Sequence, residues 1–279
     1  MNELNFEDLD KYLLDKKGRI IHQVWFGTMP NKVVAKKDYN KLKKYRDSWI
    51  IKNPTWYHFE WNKSLCKKVI ELYFPEYYDM YMNYPYEIQR CDAVRYCILF
   101  RYGGLYADMD YYCNKPFDIV QEVYRNNFYL VQTPNMVGEY ISNSLMFSTP
   151  NHPFWLLMLM EMSNSQSAPI YYSRHLTIMY TTGPGIMNRV YHKYKQRYKL
   201  KSFPHKYFQP YGTVDDILSL NNPDVYTIHA SKGCWHSNDS TIIVILTRNW
   251  KIFLFILFIV FVNIIYNTYS KKPNINVVS

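Results

Sequence analysis

Two aspartates one residue apart, Asp108 and Asp110, form the part of this sequence best suited to chemistry. They follow the pair Gly103-Gly104 and a short apolar segment, which predicts a short strand with both carboxylates at its carboxyl end. Ligands bind just outside the carboxyl ends of strands in open α/β sheets. Paired carboxylates there suit a hard divalent cation that holds phosphate oxygens. An isolated Asp-x-Asp is common by chance, so its surroundings decide its meaning.

The helix predicted immediately upstream, Glu87 to Tyr102, carries charge on its apolar side. Asp92 and Arg95 fall on the same stripe as its inward-facing residues. A core ion pair is one interpretation, although such a pair is seldom a net stabiliser. The other interpretation is that both side chains reach a polar cleft and hold a ligand. Because the helix leads directly into the strand before Asp108, both features would open on the same cleft.

Composition excludes several classes of protein. The 279 residues carry a net charge of +10, which fits an anionic partner such as a nucleotide, a nucleic acid or a lipid headgroup. A lysine-rich solvated helix face between Lys32 and Lys44 is the simpler explanation for that cluster, and we favour it. The five cysteines are odd in number and lack paired spacing, which argues against a zinc site and a disulfide scaffold. Residues 1–18 have no apolar stretch of signal-peptide length, so we do not expect a cleaved signal.

Periodicity predicts strands that alternate with helices. This order indicates an α/β domain, which we assign to residues 1–240. The predicted helices are Asn5–Lys17, Val33–Ile51, Ser64–Tyr73, Glu87–Tyr102, Pro153–Met162 and a segment from Pro184 to about Tyr198. The predicted strands are Arg19–Phe26, Trp56–Trp61, the short segment before Asp108, Phe128–Gln132, Ile141–Phe147 and Val225–His229.

Residues 241–279 differ from the rest of the chain. The segment 252–262 is apolar on every side, and Trp250 and Tyr269 flank it as interfacial anchors would. Counted from Trp250 to Tyr269, the segment reaches the roughly 20 residues that a membrane span needs. A buried C-terminal helix would normally show a polar face. We therefore predict a single-pass C-terminal transmembrane helix, with the side of the membrane left open.

Several short motifs in a fixed order resemble the family-32 glycosyltransferases. Each motif is weak alone, but together they cover roughly residues 20–240. They are Ile20-Ile21-His22-Gln23-Val24-Trp25-Phe26-Gly27, Cys91-Asp92-Ala93-Val94-Arg95-Tyr96, Tyr102-Gly103-Gly104-Leu105-Tyr106-Ala107-Asp108-Met109-Asp110, Asn143-Ser144-Leu145-Met146-Phe147, Thr182-Gly183-Pro184, and His229 followed by Gly233-Cys234-Trp235-His236. The resemblance implies a GT-A fold, that is, a Rossmann-like mixed sheet flanked by helices, and a retaining reaction. The members that mannosylate inositol phosphoceramide are the most similar in their final Trp-His and hydrophobic tail.

The resemblance also implies roles for the metal and phosphate side of the site. Asp108 and Asp110 would bind Mn²⁺ (or Mg²⁺) and the donor diphosphate, and Asp110 would count among the catalytic groups. His229 is the candidate for a further metal or phosphate contact, with His236 as its competitor. Trp235 would lie over the leaving group. Cys234 stands where the family more often has Ser, which weakens any hydroxyl contact at that position.

The remaining implied roles concern the rest of the donor. Asp92 and Arg95 would hold hydroxyls of the donor sugar and act in catalysis. The other expected donor-binding residues are Val24, Trp25 and Phe26 around the nucleobase, together with Tyr106 and Asn143. For Asn143, a cap at the end of a strand is an equally good interpretation.

The predicted function is therefore the transfer of a hexose from a nucleotide-sugar to a lipid or glycan acceptor at a membrane, without a nucleic-acid partner. GDP-mannose is favoured over UDP-hexoses as the donor. A cation held by two aspartates would neutralise the charge that grows on the departing diphosphate. No carboxylate nucleophile is evident, so we favour front-face transfer. The rivals are a phosphohydrolase, disfavoured because Tyr111 and Tyr112 follow the second aspartate, and a membrane-attached binding protein without turnover.

Overall fold

The computed structural model describes residues 5–27, 34–124, 127–134, 139–210, 221–230, 238–248 and 258–265. Contacts within the chain separate two units. The first comprises residues 1–172 and 176–235, and the second comprises residues 173–175 and 236–279. The predicted domain boundary after residue 240 stays a prediction.

Helices and strands alternate through most of the first unit, as periodicity predicted. The helices are α1 (Phe6–Asp15), α2 (Val34–Lys52), α3 (Lys63–Tyr73), α4 (Tyr78–Asn83), α5 (Glu87–Tyr102), α6 (Phe117–Tyr124), α7 (Phe154–Asn164), α8 (Arg174–Thr181), α9 (Pro184–Tyr198) and α10 (His205–Phe208), with α11 (Asn238–Arg248) in the second unit. The strands are β1 (Ile20–Val24), β2 (Tyr57–Trp61), β3 (Gly104–Ala107), β4 (Tyr111–Cys113), β5 (Phe128–Gln132), β6 (Ile141–Ser148), β7 (Ser202–Phe203) and β8 (Thr227–His229).

The central sheet is mixed and has the strand order β2-β1-β3-β6-β5-β7. Strands β2, β1 and β3 are parallel, whereas β6 runs antiparallel to both β3 and β5. A second sheet pairs β4 with β8 in antiparallel register. The predicted strand at residues 225–229 therefore exists in shortened form, but it belongs to the small sheet and not to the central one.

Helices cover both faces of the central sheet. On one face the core is formed by α1, α3, α5, α7 and α9, with Trp61 and Trp155 among its completely buried side chains. On the other face α2, α6 and α10 pack over Leu105, Ala107 and Phe147. This arrangement confirms the predicted mixed α/β sheet flanked by helices.

The turn between α5 and β3 depends on two glycines with positive φ angles, +64° at Gly103 and +89° at Gly104. A Cβ atom on Gly104 would lie 2.4 Å from the carbonyl oxygen of Ile20 in the neighbouring strand. Only glycine allows so close an approach between β3 and β1. This approach lets β3 begin directly after α5 and pair in parallel with β1.

In the second unit, α11 is joined to residues 173–175. The backbone N–H of His175 donates to Asp239 at 2.7 Å, and its Nδ1 lies 2.9 Å from the hydroxyl of Ser240. Residues 258–265 are helical, and their side chains are exposed. The predicted span from Trp250 to Tyr269 lies mostly outside the described residues. Among the residues that are described, no helix has both the length and the apolar character needed to cross a membrane.

Candidate active site

Asp108 follows the last residue of β3, as predicted from the glycine pair. Its backbone N–H donates to Ser144 on β6 at 2.8 Å, which fixes the chain where β3 ends. Its Oδ1 accepts from the Tyr106 hydroxyl at 2.7 Å and from the Arg95 guanidinium at 3.0 Å. Burial raises the pKa of Asp108, although Arg95 opposes this shift. Both hydrogen bonds use Oδ1, so Oδ2 is the oxygen that can take a cation.

Asp110 lies opposite His229, which comes from the second, smaller sheet. The Asp110 Oδ1 lies 3.1 Å from the His229 Nε2. Burial alone would lower the pKa of His229, but the charge of Asp110 and its hydrogen bond outweigh burial and raise it. Strand β8 is held beside the aspartates because Ala230 N–H donates to the Asp110 carbonyl oxygen at 2.9 Å.

Asp108, Asp110 and His229 each offer one ligand atom, and these atoms all lie within 4.8 Å of one another. Within the described part of the chain, this is the one group of three such side chains close enough to share an ion. Two carboxylate oxygens and an imidazole nitrogen suit Mn²⁺ or Mg²⁺ with further positions left for phosphate oxygens and water. The donor set therefore fits the cation that the sequence implies.

Asp92 and Arg95 form a buried ion pair that borders these aspartates. Their side chains are 6% and 4% exposed, and Arg95 Nη2 lies 3.0 Å from Asp92 Oδ1. Arg95 also donates through Nη1 to Asp108 Oδ1 at 3.0 Å and to the Asn143 carbonyl oxygen at 2.8 Å. Its guanidinium carbon lies 4.6 Å from the centre of the Tyr106 ring. Both interpretations of this pair hold in part, because the ion pair is buried and Arg95 also contacts the carboxylate of Asp108.

The Asp92 carboxylate has a nearly complete set of donors. Besides Arg95, it accepts from the Thr182 hydroxyl at 2.9 Å and from the Asn143 amide at 3.0 Å. Burial raises the pKa of Asp92 to about 6, against the opposing effects of Arg95 and Thr182. A carboxylate has about four lone-pair sites, so Asp92 has capacity for about one further donor, such as a sugar hydroxyl.

Asn143 lies within β6, so the interpretation as a cap at a strand end is wrong. Its side-chain amide donates to Asp92 and, at 3.1 Å, to the hydroxyl of Tyr96. Sequence reasoning assigned no role to Tyr96 or Thr182. Both lie in motifs that carried the family resemblance, and a buried carboxylate at Asp92 requires donors of this kind, which is the signal that could have identified them.

The residues expected around the nucleobase lie at the carboxyl end of β1. Val24 is the last residue of this strand, and the Trp25 N–H donates to the Trp61 carbonyl oxygen at 2.9 Å. Strand β1 pairs in parallel with β3, so Val24 to Phe26 lie at the same sheet edge as Asp108. Trp235 and His236 fall outside the described residues, and their predicted roles stay predictions.

Comparison with known proteins gives two matching family models. Residues 40–128 match the glycosyltransferase sugar-binding region containing the DXD motif, and residues 86–214 match a capsular polysaccharide synthesis protein family. Inositol phosphoceramide mannosyltransferase 3 of Schizosaccharomyces pombe is 27% identical over 91% of this chain and 66% of its own length. Mannosyl phosphorylinositol ceramide synthase CSH1 of Saccharomyces cerevisiae is 30% identical over 71% of this chain and 49% of its own. The chain thus spans between half and two thirds of the length of these two relatives.

Solved structures give more distant matches. The galactosyltransferase LgtC, in complex with donor and acceptor sugar analogs, has a TM-score of 0.44 and 10% identity over 78% of this chain and 90% of its own. The DXD-region match and the mannosyltransferase relatives place the chain among the glycosyltransferases. Within that class it is a family-32-like protein, as the order of its motifs predicted.

Proposed function

We propose that this protein transfers a hexose, with mannose favoured, from a nucleotide-sugar to a lipid or glycan acceptor with retention of configuration, and that the transfer depends on a divalent cation. The observation that carries the proposal is the grouping of Asp108, Asp110 and His229 beside the buried pair of Asp92 and Arg95. A cation-binding group and a polar, rigid group of hydroxyl-binding side chains then lie next to each other. A nucleotide-sugar carries both a diphosphate and sugar hydroxyls, so its binding would use both groups.

The residues divide the work between the diphosphate and the sugar. Asp108, Asp110 and His229 would hold the cation, which when bound neutralises charge on the departing diphosphate. Arg95 adds a fixed positive charge at Asp108, and it needs no reorganisation because three partners already hold it. Asp92 would accept from a sugar hydroxyl through its remaining acceptor capacity. Since none of these carboxylates is assigned as a nucleophile, front-face transfer remains the favoured route.

The choice of mannose and of a lipid acceptor rests on the relatives, whose names describe mannosyltransferases acting on inositol phosphoceramide. GDP-mannose is accordingly the donor that we expect. Binding of a nucleotide-sugar without turnover is the alternative, and the same experiment separates the two.

The test is release of nucleoside diphosphate from a panel of GDP-mannose, UDP-glucose and UDP-galactose with Mn²⁺ and candidate acceptors. We expect one donor to be turned over, and either EDTA or Asp110→Asn to reduce release by at least about a hundredfold, since a cation ligand stabilises the transition state by several kcal/mol. Asp79→Asn, the same change at an exposed helical position, serves as the matched control. Release that survives both EDTA and Asp110→Asn would refute the metal mechanism. Donor binding without release for every pair would favour the binding protein.

We also propose that the segment from Trp250 to Tyr269 anchors the protein in a membrane. The support is its sequence, which is apolar over 252–262 between aromatic and basic flanks. Deletion of residues 249–279 should move the protein from the membrane fraction to the supernatant on centrifugation. If the full chain itself stays in the supernatant, the anchor does not exist.

A further inference from the structure

Gln209 lies behind His229, on the side of the imidazole away from Asp110. Its amide Nε2 lies 2.9 Å from His229 Nδ1, and its Oε1 accepts from the Tyr111 hydroxyl at 3.2 Å. Gln209 is only 8% exposed, and Tyr111 is completely buried. A buried amide with partners at both ends presents either its NH₂ or its oxygen to the imidazole, and which of the two it presents determines which ring nitrogen carries the proton.

The backbone holds Gln209 firmly against β8. It follows α10, and Tyr226 N–H donates to the Tyr207 carbonyl oxygen at 2.8 Å. The Thr227 hydroxyl donates to the Phe208 carbonyl oxygen at 2.6 Å. These two bonds join the α10 segment to the strand that carries His229. They hold the backbone beside Gln209 next to the strand that carries His229.

The imidazole is also fixed in its plane. Tyr111 and His229 are paired across β4 and β8, and their rings stack with centroids 4.4 Å apart and 8° between planes. Tilting of the imidazole out of this plane would break the stack. The ring therefore stays in place, and the two forms considered below differ in which of its nitrogens carries the proton.

Two hydrogen-bonding arrangements fit this packing. With the Gln209 NH₂ facing Nδ1, that nitrogen must accept, so the His229 proton lies on Nε2 and is donated to Asp110. In this form Nε2 has no lone pair for a cation. If the amide turns by 180°, Oε1 accepts a hydrogen bond from Nδ1–H, and the Nε2 lone pair then faces the aspartates. The two forms exchange the positions of the amide nitrogen and oxygen and leave the packing unchanged.

The hydrogen-bond chain beyond Gln209 accommodates both forms. In the first form the Tyr111 hydroxyl donates to Oε1. In the second form the amide NH₂ donates to that hydroxyl, which can then donate to Ser144 Oγ at 3.0 Å. Ser144 Oγ in turn lies 2.5 Å from Ser142 Oγ, and hydroxyl hydrogens rotate freely enough to follow the change.

We propose that Gln209 is a positioning residue that selects the tautomer of His229, and that turning its amide converts His229 from a donor to Asp110 into a ligand for the divalent cation. The cation part rests on the proposed function, whereas the tautomer of the metal-free protein does not. No substrate contact is assigned to Gln209.

The first experiment reads the tautomer directly in the full-length, metal-free protein. Long-range ¹H–¹⁵N correlation spectra of ¹⁵N-histidine-labelled protein, assigned with His229→Gln, should show His229 protonated at Nε2. In Gln209→Glu the carboxylate can only accept, so the proton should appear at Nδ1. A wild-type His229 protonated at Nδ1 in the absence of metal, or one unchanged by Gln209→Glu, would overturn the proposal.

The second experiment measures Mn²⁺ affinity by electron paramagnetic resonance with the metal alone. Gln209→Met has nearly the same volume but cannot accept from Nδ1–H, so Mn²⁺ should bind about 10 to 100-fold more weakly. Gln209→Glu should bind Mn²⁺ within about threefold of wild type or more tightly, by the same acceptor argument. Gln196→Met, at an exposed helical position, is the matched control.

Thermal unfolding of all variants separates loss of fold from loss of acceptor. If Gln209 had a purely structural role, the Mn²⁺ affinity of each variant would follow its thermal stability, and Gln209→Met and Gln209→Glu would bind Mn²⁺ equally well. That result would overturn the proposal. If wild-type protein binds no Mn²⁺, the proposed cation site fails, while the tautomer spectra still decide the role of Gln209.

Discussion

Replacement of Arg95 by methionine is the sharpest test of how the site is held together. Methionine keeps most of the side-chain volume and removes the guanidinium. In the native structure that guanidinium contacts Asp92, Asp108 and the Asn143 carbonyl oxygen, and the Arg95 residue is 3% exposed. The substitution therefore leaves one buried carboxylate, at Asp92, without its cation.

The expected loss follows from that buried charge. Removing one partner of a buried ion pair costs about 3–5 kcal/mol, because the remaining charge is desolvated and uncompensated. Asp92 keeps its bonds from Thr182 and Asn143, and Asp108 is 28% exposed and can be hydrated. We therefore expect Arg95→Met to lower the free energy of unfolding by about 3 kcal/mol at pH 8, at the lower end of that range.

The loss should depend on pH with a defined sign. Burial raises the pKa of Asp92 to about 6 even with Arg95 present, and Arg95 lowers it, so the substitution raises it further. A carboxyl whose folded pKa is raised contributes stability that is present below its unfolded pKa and is lost as pH rises through the folded pKa. Between pH 6 and pH 8 the variant should lose up to about 2.7 kcal/mol more stability through Asp92, whereas wild type, whose Asp92 is mostly ionised above about pH 6, should lose little through this group.

The assay is urea unfolding of wild type, Arg95→Met, Asp92→Asn and the double variant at pH 6 and pH 8. Asp92→Asn removes the stranded charge but keeps an acceptor, so the double variant should recover at least half of the loss at pH 8. Arg19→Met is the control, because Arg19 pairs with Asp118 at the surface and such pairs contribute at most about 1 kcal/mol. If Arg95→Met costs no more than Arg19→Met, or if the double variant is no more stable than Arg95→Met, the reasoning is wrong.

Two further predictions concern the frame around the site. Burial lowers the pKa of His22 to about 3, so its stability contribution is present above its unfolded pKa of about 6.5 and is lost as pH falls. Between pH 6 and pH 4 the free energy of unfolding measured with urea should therefore fall less steeply in His22→Gln than in wild type, by up to about 1.4 kcal/mol per pH unit. An equal slope in both proteins would contradict this. Gly104→Ala should lower stability by at least about 2 kcal/mol in the same assay, because φ is +89° and the added Cβ would lie 2.4 Å from the Ile20 carbonyl oxygen. A loss no larger than that of Gly27→Ala, where φ is +71° but no atom lies within 4 Å, would exclude a role for the close approach.

The sequence predicted the elements whose signals are local. The apolar run of β1, the long helix α5 and the glycine pair before β3 each lie within a few consecutive residues, and all three exist close to the predicted bounds. The placement of Asp108 at the carboxyl end of β3 followed from them. Short helices were missed, among them α4, α6 and α8, because six to eight residues give only about two turns of pattern.

The parts of the site that could not be predicted depend on partners far apart in the chain. Thr182 contacts Asp92 across 90 residues, and Tyr111 contacts Gln209 across 98. No periodicity or spacing encodes such a pairing; only the folded sheet brings the residues together. The small sheet of β4 and β8 was missed for the same reason, since a three-residue strand gives too short a pattern to assign its neighbour.

The balance of charge explains why these distant partners matter. Asp92, Asp108 and Asp110 bring three carboxylates to one edge of the sheet, and the Arg95 guanidinium contacts two of them. With the carboxylates ionised and His229 neutral, this group of side chains carries a formal charge of −2. Burial raises the pKa of Asp92 and Asp108, because their charged forms are poorly solvated there, and the neighbouring carboxylates add to this shift. A divalent cation would match the excess, and it would need the lone pair at Nε2 that the Gln209 amide controls. Binding of the cation therefore requires both the charge of the aspartates and an unprotonated Nε2 on His229. The tautomer spectra test the second condition without any substrate.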